Sequence, residues 1–157
     1  MSQTVAKSKK PSDKEAALAA YNRVVEKAEL LDIRLTDFKY SVKPKYYPAI
    51  EQESEGNINL SRTFDHDVVD INHDTDIGAL GGRFVWSLKI SQGKTRLLNV
   101  DASFFVVYKD VPDVGHEHVE AYLRRVGRFA TYPYFRSLVA QMSWESSAEL
   151  PVMPILK

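Results

Sequence analysis

The spacing of apolar and polar positions changes twice along the chain, from a helical period to an alternating one and back. Ser12-Asp13-Lys14-Glu15 has the form of a capping box, in which serine and glutamate side chains each satisfy an orphan amide. Ala17, Tyr21, Val24, Ala28 and Leu31 then follow on one stripe, which predicts a helix over residues 13–31. The next stretch alternates. Ile33 and Leu35 share one face of a strand over Ile33–Val42, while Phe38, Tyr40 and Val42 have the opposite parity. That switch predicts a bulge at Thr36-Asp37. Pro44-Lys45-Tyr46-Tyr47-Pro48 reads as an extended, rigid connector. A weaker strand is expected within Asn57–Val69, and a third over Arg83–Ile90, where Phe84, Trp86, Leu88 and Ile90 alternate. A turn at Ser91-Gln92-Gly93-Lys94 returns the chain as a fourth strand over Thr95–Lys109.

After Pro112 and Gly115 the period becomes helical again. Val119, Tyr122, Leu123 and Val126 fit a short helix that stops near Gly127. A second helix is expected to open at Thr131-Tyr132-Pro133, since proline suits the first helical position. Its buried stripe would be Phe135, Leu138, Val139 and Met142. Residues 148–157 form a proline-punctuated, extended tail, and the basic residues 1–11 a disordered arm.

Within the fourth strand, Ser103-Phe104-Phe105-Val106-Val107-Tyr108 is apolar on both faces. Phe104, Val106 and Tyr108 point one way, Phe105 and Val107 the other. An antiparallel sheet of this size normally wets one face. The second face therefore needs its own cover, either helices, another subunit or a bound chain.

The 157 residues suit one domain with a real core. A net charge of zero offers no attraction to nucleic acid or a membrane surface, and no apolar run is long enough to span a bilayer. There is no cysteine, which excludes thiolate chemistry and disulfides, and no apolar segment follows the N-terminal lysines as in a secretory signal. A cytoplasmic protein is the expectation.

The candidate chemistry is thin. Residues 65–76 hold Asp65-His66-Asp67 and His73-Asp74, and His66, Asp67, His73 and Asp74 define the alternative reading, a small-ligand or metal-binding module. His116-Glu117-His118 is a weaker candidate of the same kind. Both read more simply as solvated charge, and acids on a strand also discourage sheet-to-sheet association. No serine lies in a nucleophile elbow, and Gly78-Ala79-Leu80-Gly81-Gly82 lacks the lysine of a phosphate loop. It reads as a flexible entry to the third strand. Neither an enzyme nor a cofactor is expected.

The order of elements resembles the bacterial export chaperone SecB and its relatives over residues 32–157. Tyr132-Pro133-Tyr134-Phe135-Arg136 stands where that family has Phe-Pro-Tyr-Ala-Arg, and Leu150-Pro151-Val152-Met153-Pro154 is similar to its Leu-x-Leu-x-Pro segment. Leu35–Tyr40 resembles the family's first strand, and Phe104–Tyr108 its last. The resemblance implies an α+β fold, a four-stranded antiparallel sheet with helices packed on one face. The helix at 12–31 is an addition, the sheet covers 32–110 and the helices cover 116–147. It also implies an ATP-independent holdase for non-native polypeptide, assembled as a homotetramer. Tyr46, Tyr47, Trp86, Phe104, Phe105 and Val107 are the expected client-binding residues, and Phe135, Leu138, Val139 and Met142 the expected subunit contact. Asp37 and Asp101 are candidates for docking the motor SecA, but Ser41 stands where another acid is expected. The second helix of the family, a lid over the client groove, has no counterpart. These departures favour the SecB-like branch that protects an antitoxin over general preprotein export.

Overall fold

The computed structural model of the chain describes residues 12–148 together with Leu150, Met153 and Leu156. The arm at 1–11 and the rest of the tail lie outside the described residues. Helix α1 (Asp13–Lys27) precedes strand β1 (Glu29–Val42), helix α2 (Tyr46–Ser54) and strands β2 (Ser61–Asp74), β3 (Ala79–Gln92) and β4 (Thr95–Lys109). Helices α3 (His116–Tyr122) and α4 (Arg128–Ser146) follow, joined by a π-helical turn at Leu123–Gly127. The strands form one antiparallel sheet in the order β1-β4-β3-β2, with helices on one face. This is the expected α+β architecture.

Helix α1 begins as the sequence predicts, with Ser12 and Glu15 exchanging capping bonds at 3.2 and 3.3 Å. Val24 is its buried anchor, and Tyr21 packs on Tyr122 of α3 with ring centroids 6.5 Å apart. The helix ends at Lys27, four residues earlier than predicted. Ala28 is extended, and Glu29 already faces Lys109 across the sheet, where the two side chains pair at 3.2 Å. The ladder with β4 overrides the helical period, and Leu31 becomes an exposed bulge residue. The second bulge, at Thr36, lies where the parity switch put it.

Residues 46–54 correct another expectation, because they form α2 rather than an extended connector. Pro48 is the third residue of that helix, where an amide would have no intrahelical partner. Tyr46 and Ala49 face inward three residues apart. Glu53 ties α2 to β2 by accepting from the Leu60 amide at 2.6 Å and pairing with Arg62, which holds its carboxyl below the usual range.

Alternation in β3 and β4 is almost complete. Leu80, Phe84, Trp86, Leu88 and Ile90 of β3 and Val100, Ala102, Phe104, Val106 and Tyr108 of β4 are buried beneath the helices. Above them, α3, the π turn and α4 run as one continuous rod, so neither Gly127 nor Pro133 marks a helix boundary. Gly127 is buried for a different reason. A Cβ there would lie 2.4 Å from the Phe84 ring. Gly82, inside β3 rather than in a flexible entry, allows the same close approach by Leu123, whose Cδ2 would meet an added Cβ at 2.7 Å. Two glycines thus let the rod descend onto the sheet. Thr131 completes the seam by accepting from Trp86 Nε1 at 2.9 Å and donating to the Gly127 carbonyl at 2.8 Å. Pro133, inside α4, has no amide to donate to the carbonyl one turn earlier.

Candidate functional site

The apolar residues expected to bind a client separate into three places. Tyr46, Trp86 and Phe104 are core. Trp86 is stacked with Phe64 at 5.6 Å and Phe135 at 5.9 Å, and His66 lies over it at 4.9 Å. Tyr47 is 39% exposed on the helix side. Phe105, 37% exposed, and the half-buried Val107 are on the open face of the sheet. There they line a recess of about 410 Å³ with Leu31, Asp32 and Arg34. The doubly apolar strand is therefore covered by helices on one face and, among the described residues, by no further element on the other.

On the helix side, recesses run along α4. One of about 500 Å³ is lined by Phe129, Tyr132, Pro133, Arg136, Ser137, Ala140 and Leu156. A second, about 420 Å³, shares Ala140 and extends past Ser143, Trp144 and Ala148 to Ser147. A third, about 340 Å³, shares Ser147 and is bounded by Tyr46, Tyr47, Ile50, Glu51 and Ser54. Through the shared residues they form a track from the middle of α4 to α2. Trp144 is 86% exposed on it. Two tyrosines fix the far end of the track. The Tyr47 hydroxyl donates to the Ser146 carbonyl at 2.6 Å, and the Tyr40 hydroxyl shares a 2.6 Å hydrogen bond with Ser146 Oγ. Burial raises the Tyr40 pKa, so its hydroxyl stays protonated at neutral pH. Ser147, in the left-handed region at φ 52°, turns the chain out of α4.

Sequence reasoning missed Phe129, Tyr134 and Trp144. Helix α4 is apolar on several sides, and only one stripe had been assigned. A helix that is hydrophobic all round signals more than one covered face. Of the expected subunit contacts, Phe135 and Val139 are buried within this chain and have no surface left to offer. Leu138 and Met142 are half-buried.

The polar candidates do not converge. His66 and His73 pair with Trp86 and Leu80 and lie on the helix side, whereas Asp67 and Asp74 pair with Val85 and Ala79 and point away. Among the described residues, no group of three histidines or acids is placed to hold a metal. Asp37 and Asp101 are both on the open face, in register with Ser103 and Lys39. The same face interleaves Asp32, Asp65 and Asp67 with Arg34, Lys39, Arg83 and Lys89. It is mixed in sign, and Arg34 pairs with Asp32 and Arg83 with Asp70.

This sheet with helices on one face is the SecB-like chaperone fold. The chain superposes with a TM-score of 0.68 on the SecB-like chaperone Rv1957 of Mycobacterium tuberculosis, solved in complex with a ChAD peptide from the Rv1956 HigA1 antitoxin. The two are 22% identical over 88% of this chain and 97% of that one. A protein of unknown function from Streptococcus agalactiae is 9% identical, with a TM-score of 0.38. No protein-family model and no curated protein matches the sequence. Among the described residues, no helix is long and apolar enough to cross a membrane.

Proposed function

We propose that this protein is a non-enzymatic, ATP-independent holding chaperone that binds non-native polypeptide. The observation that carries this reading is the apolar track along α4, with Trp144 and Tyr47 presented to solvent on a fold shared with a peptide-bound chaperone. A client would meet Tyr47, Ile50 and Trp144 on the helix side, and Phe105 and Val107 in the recess of the open face. Trp86, Phe104 and Tyr46 support those surfaces from beneath. Burying one large client side chain contributes about 1.5–3 kcal/mol, while ordering each client residue costs roughly 1–2 kcal/mol. A single recess is therefore weak. Several recesses linked in a homotetramer would supply the avidity.

A dedicated client, such as an antitoxin in the same cytoplasm, suits the chain better than preprotein export through SecA. The mixed charge around Asp37 and Asp101 offers no acidic patch for a motor. The purified protein should suppress aggregation of a chemically denatured substrate at stoichiometric amounts without nucleotide. Trp144→Ser should weaken that protection severalfold while leaving the melting temperature unchanged. A folded protein that gives no protection would end the holdase reading.

A further inference from the structure

Helix α1 rests on the fold through few side chains. Val24 is the one fully buried residue of its 15, and Tyr21 and Ala28, the residue that ends it, are half-buried against the core. Its packing partner is chiefly α3. Among the described residues, its side-chain hydrogen bonds are those of its own capping box, and none of its charged groups pairs with another element. Strand β1, by contrast, is held from its first residue, where Glu29 faces Lys109 in the ladder and pairs with it. Ala28, extended at ψ 132°, thus separates a lightly seated helix from a firmly held strand. Ala16, Ala17, Ala19 and Ala20 favour the helix locally, but a helix of about fifteen residues is marginal alone in water. The surface beneath α1 is aromatic. Tyr21 meets Tyr122 of α3 at 6.5 Å, and Tyr122 meets Tyr108 of β4 edge-on at 5.3 Å. Val119, one turn before Tyr122 on α3, is fully buried. The Tyr108 hydroxyl, at the end of this chain of rings, is buried with no hydrogen-bond partner among the described residues. Such an unmade bond costs stability in the closed state and is recovered when water reaches it.

We propose that α1 is a strap that swings out as a unit about Ala28 and uncovers Val119 and Tyr122 as a latent apolar surface for client polypeptide, separate from the track along α4. The identity of the ligand rests on the holdase reading, whereas the opening of the strap does not. Opening is local, because it breaks the seat of α1 on α3 and leaves the sheet and the ladder of β1 intact. Client affinity at the uncovered surface scales with the fraction of molecules in which the strap is open. The strap is thus an autoinhibitory contact, set by how well Val24 and Tyr21 hold it down.

The test uses the full-length protein and reads the opening and its use separately. In hydrogen exchange, the amides of α1 should exchange as one group, at least about tenfold faster than those of β3 and β4. Val24→Ser should speed α1 exchange about tenfold further in a protein that still melts cooperatively. Val25→Ser, next to it but on the exposed side of the helix, should leave α1 exchange close to that of the wild type. The client probe is a permanently unfolded, fluorescently labelled polypeptide, followed by anisotropy. Val24→Ser should bind it at least about threefold more tightly than wild type or Val25→Ser, since more molecules hold the strap open. Exchange of α1 only together with β3 and β4 would overturn the proposal. So would a Val24→Ser protein in which α1 opens more often but the probe binds no more tightly, a result that leaves the holdase reading standing. A probe bound by neither wild type nor Val24→Ser would end both readings.

Discussion

His66 lies with its ring 4.9 Å from that of Trp86, on the helix face of β2. Burial lowers its pKa below the usual 6.5, helped by the positive charge of Arg128 and opposed by Asp65 and Asp67. Since the folded value is the lower one, the unfolded chain binds the proton more readily. Stability is therefore fully present above pH 6.5 and declines as pH falls toward the folded pKa. The melting temperature of the wild type should drop more between pH 7 and 5.5 than that of His66→Phe, which keeps the stacked ring but cannot titrate. Equal slopes would remove His66 from the pH response. Gly127 offers a second test at this scale. Alanine gains about 1 kcal/mol in helix propensity, but pushing Phe84 aside costs roughly 1–3 kcal/mol. Gly127→Ala should thus lower the melting temperature by about 2–4 °C. A rise would show that the ring yields freely.

At the scale of elements, α2 is held at its outer end by the bond from Tyr47 to the Ser146 carbonyl and at its inner side by Tyr46 and Ala49. Tyr47→Phe should cost no more than about 1 kcal/mol globally. Amides of α2 should nevertheless exchange faster, because local opening depends on such ties. Unchanged exchange in α2 would mean that Tyr46 and Ala49 suffice to hold it. The prolines that hid this helix from the sequence reading illustrate what patterning carries. Pro44 and Pro48 flank Tyr46-Tyr47, which suggests extension until Pro48 is seen to occupy the first turn. The strands of the β3–β4 hairpin, the bulge at Thr36 and the capping box of α1 were legible because local spacing or local chemistry determines them. The end of α1, the continuity of α3 with α4 and the roles of Gly82 and Gly127 were not. Each depends on an approach between elements distant in sequence. The candidate site was half legible. Alternation separated Phe104 from Phe105, but parity does not say which face the helices cover. Trp86 and Phe104 thus stood among the client-binding candidates with a place in the core as the other reading, and they are buried.

For the whole molecule, the two sheet edges differ in a way that bears on assembly. β2 carries Asp65, Asp67, Asp70 and Asp74, with a bulge where Asp70 adopts φ 55°, and such charge and irregularity blunt an edge. β1, on the opposite edge, is 14 residues long and exposes Leu30, Leu31 and Leu35. Long apolar edges are templates for pairing with another strand. The proposed tetramer would then combine pairing of two β1 edges with a second contact that uses the half-buried Leu138 and Met142 of α4. Light scattering at micromolar concentration should give a mass well above one chain. Leu35→Lys places a charge on the free edge without disturbing the core of a single chain, so it should lower the mass while the folded subunit still melts cooperatively. Leu138→Asp, by contrast, buries an unpaired charge against the core and should reduce both mass and melting temperature. A wild type that is strictly monomeric at these concentrations would leave the β1 edge open to clients instead of subunits. It would also remove the avidity on which tight holding by shallow recesses depends.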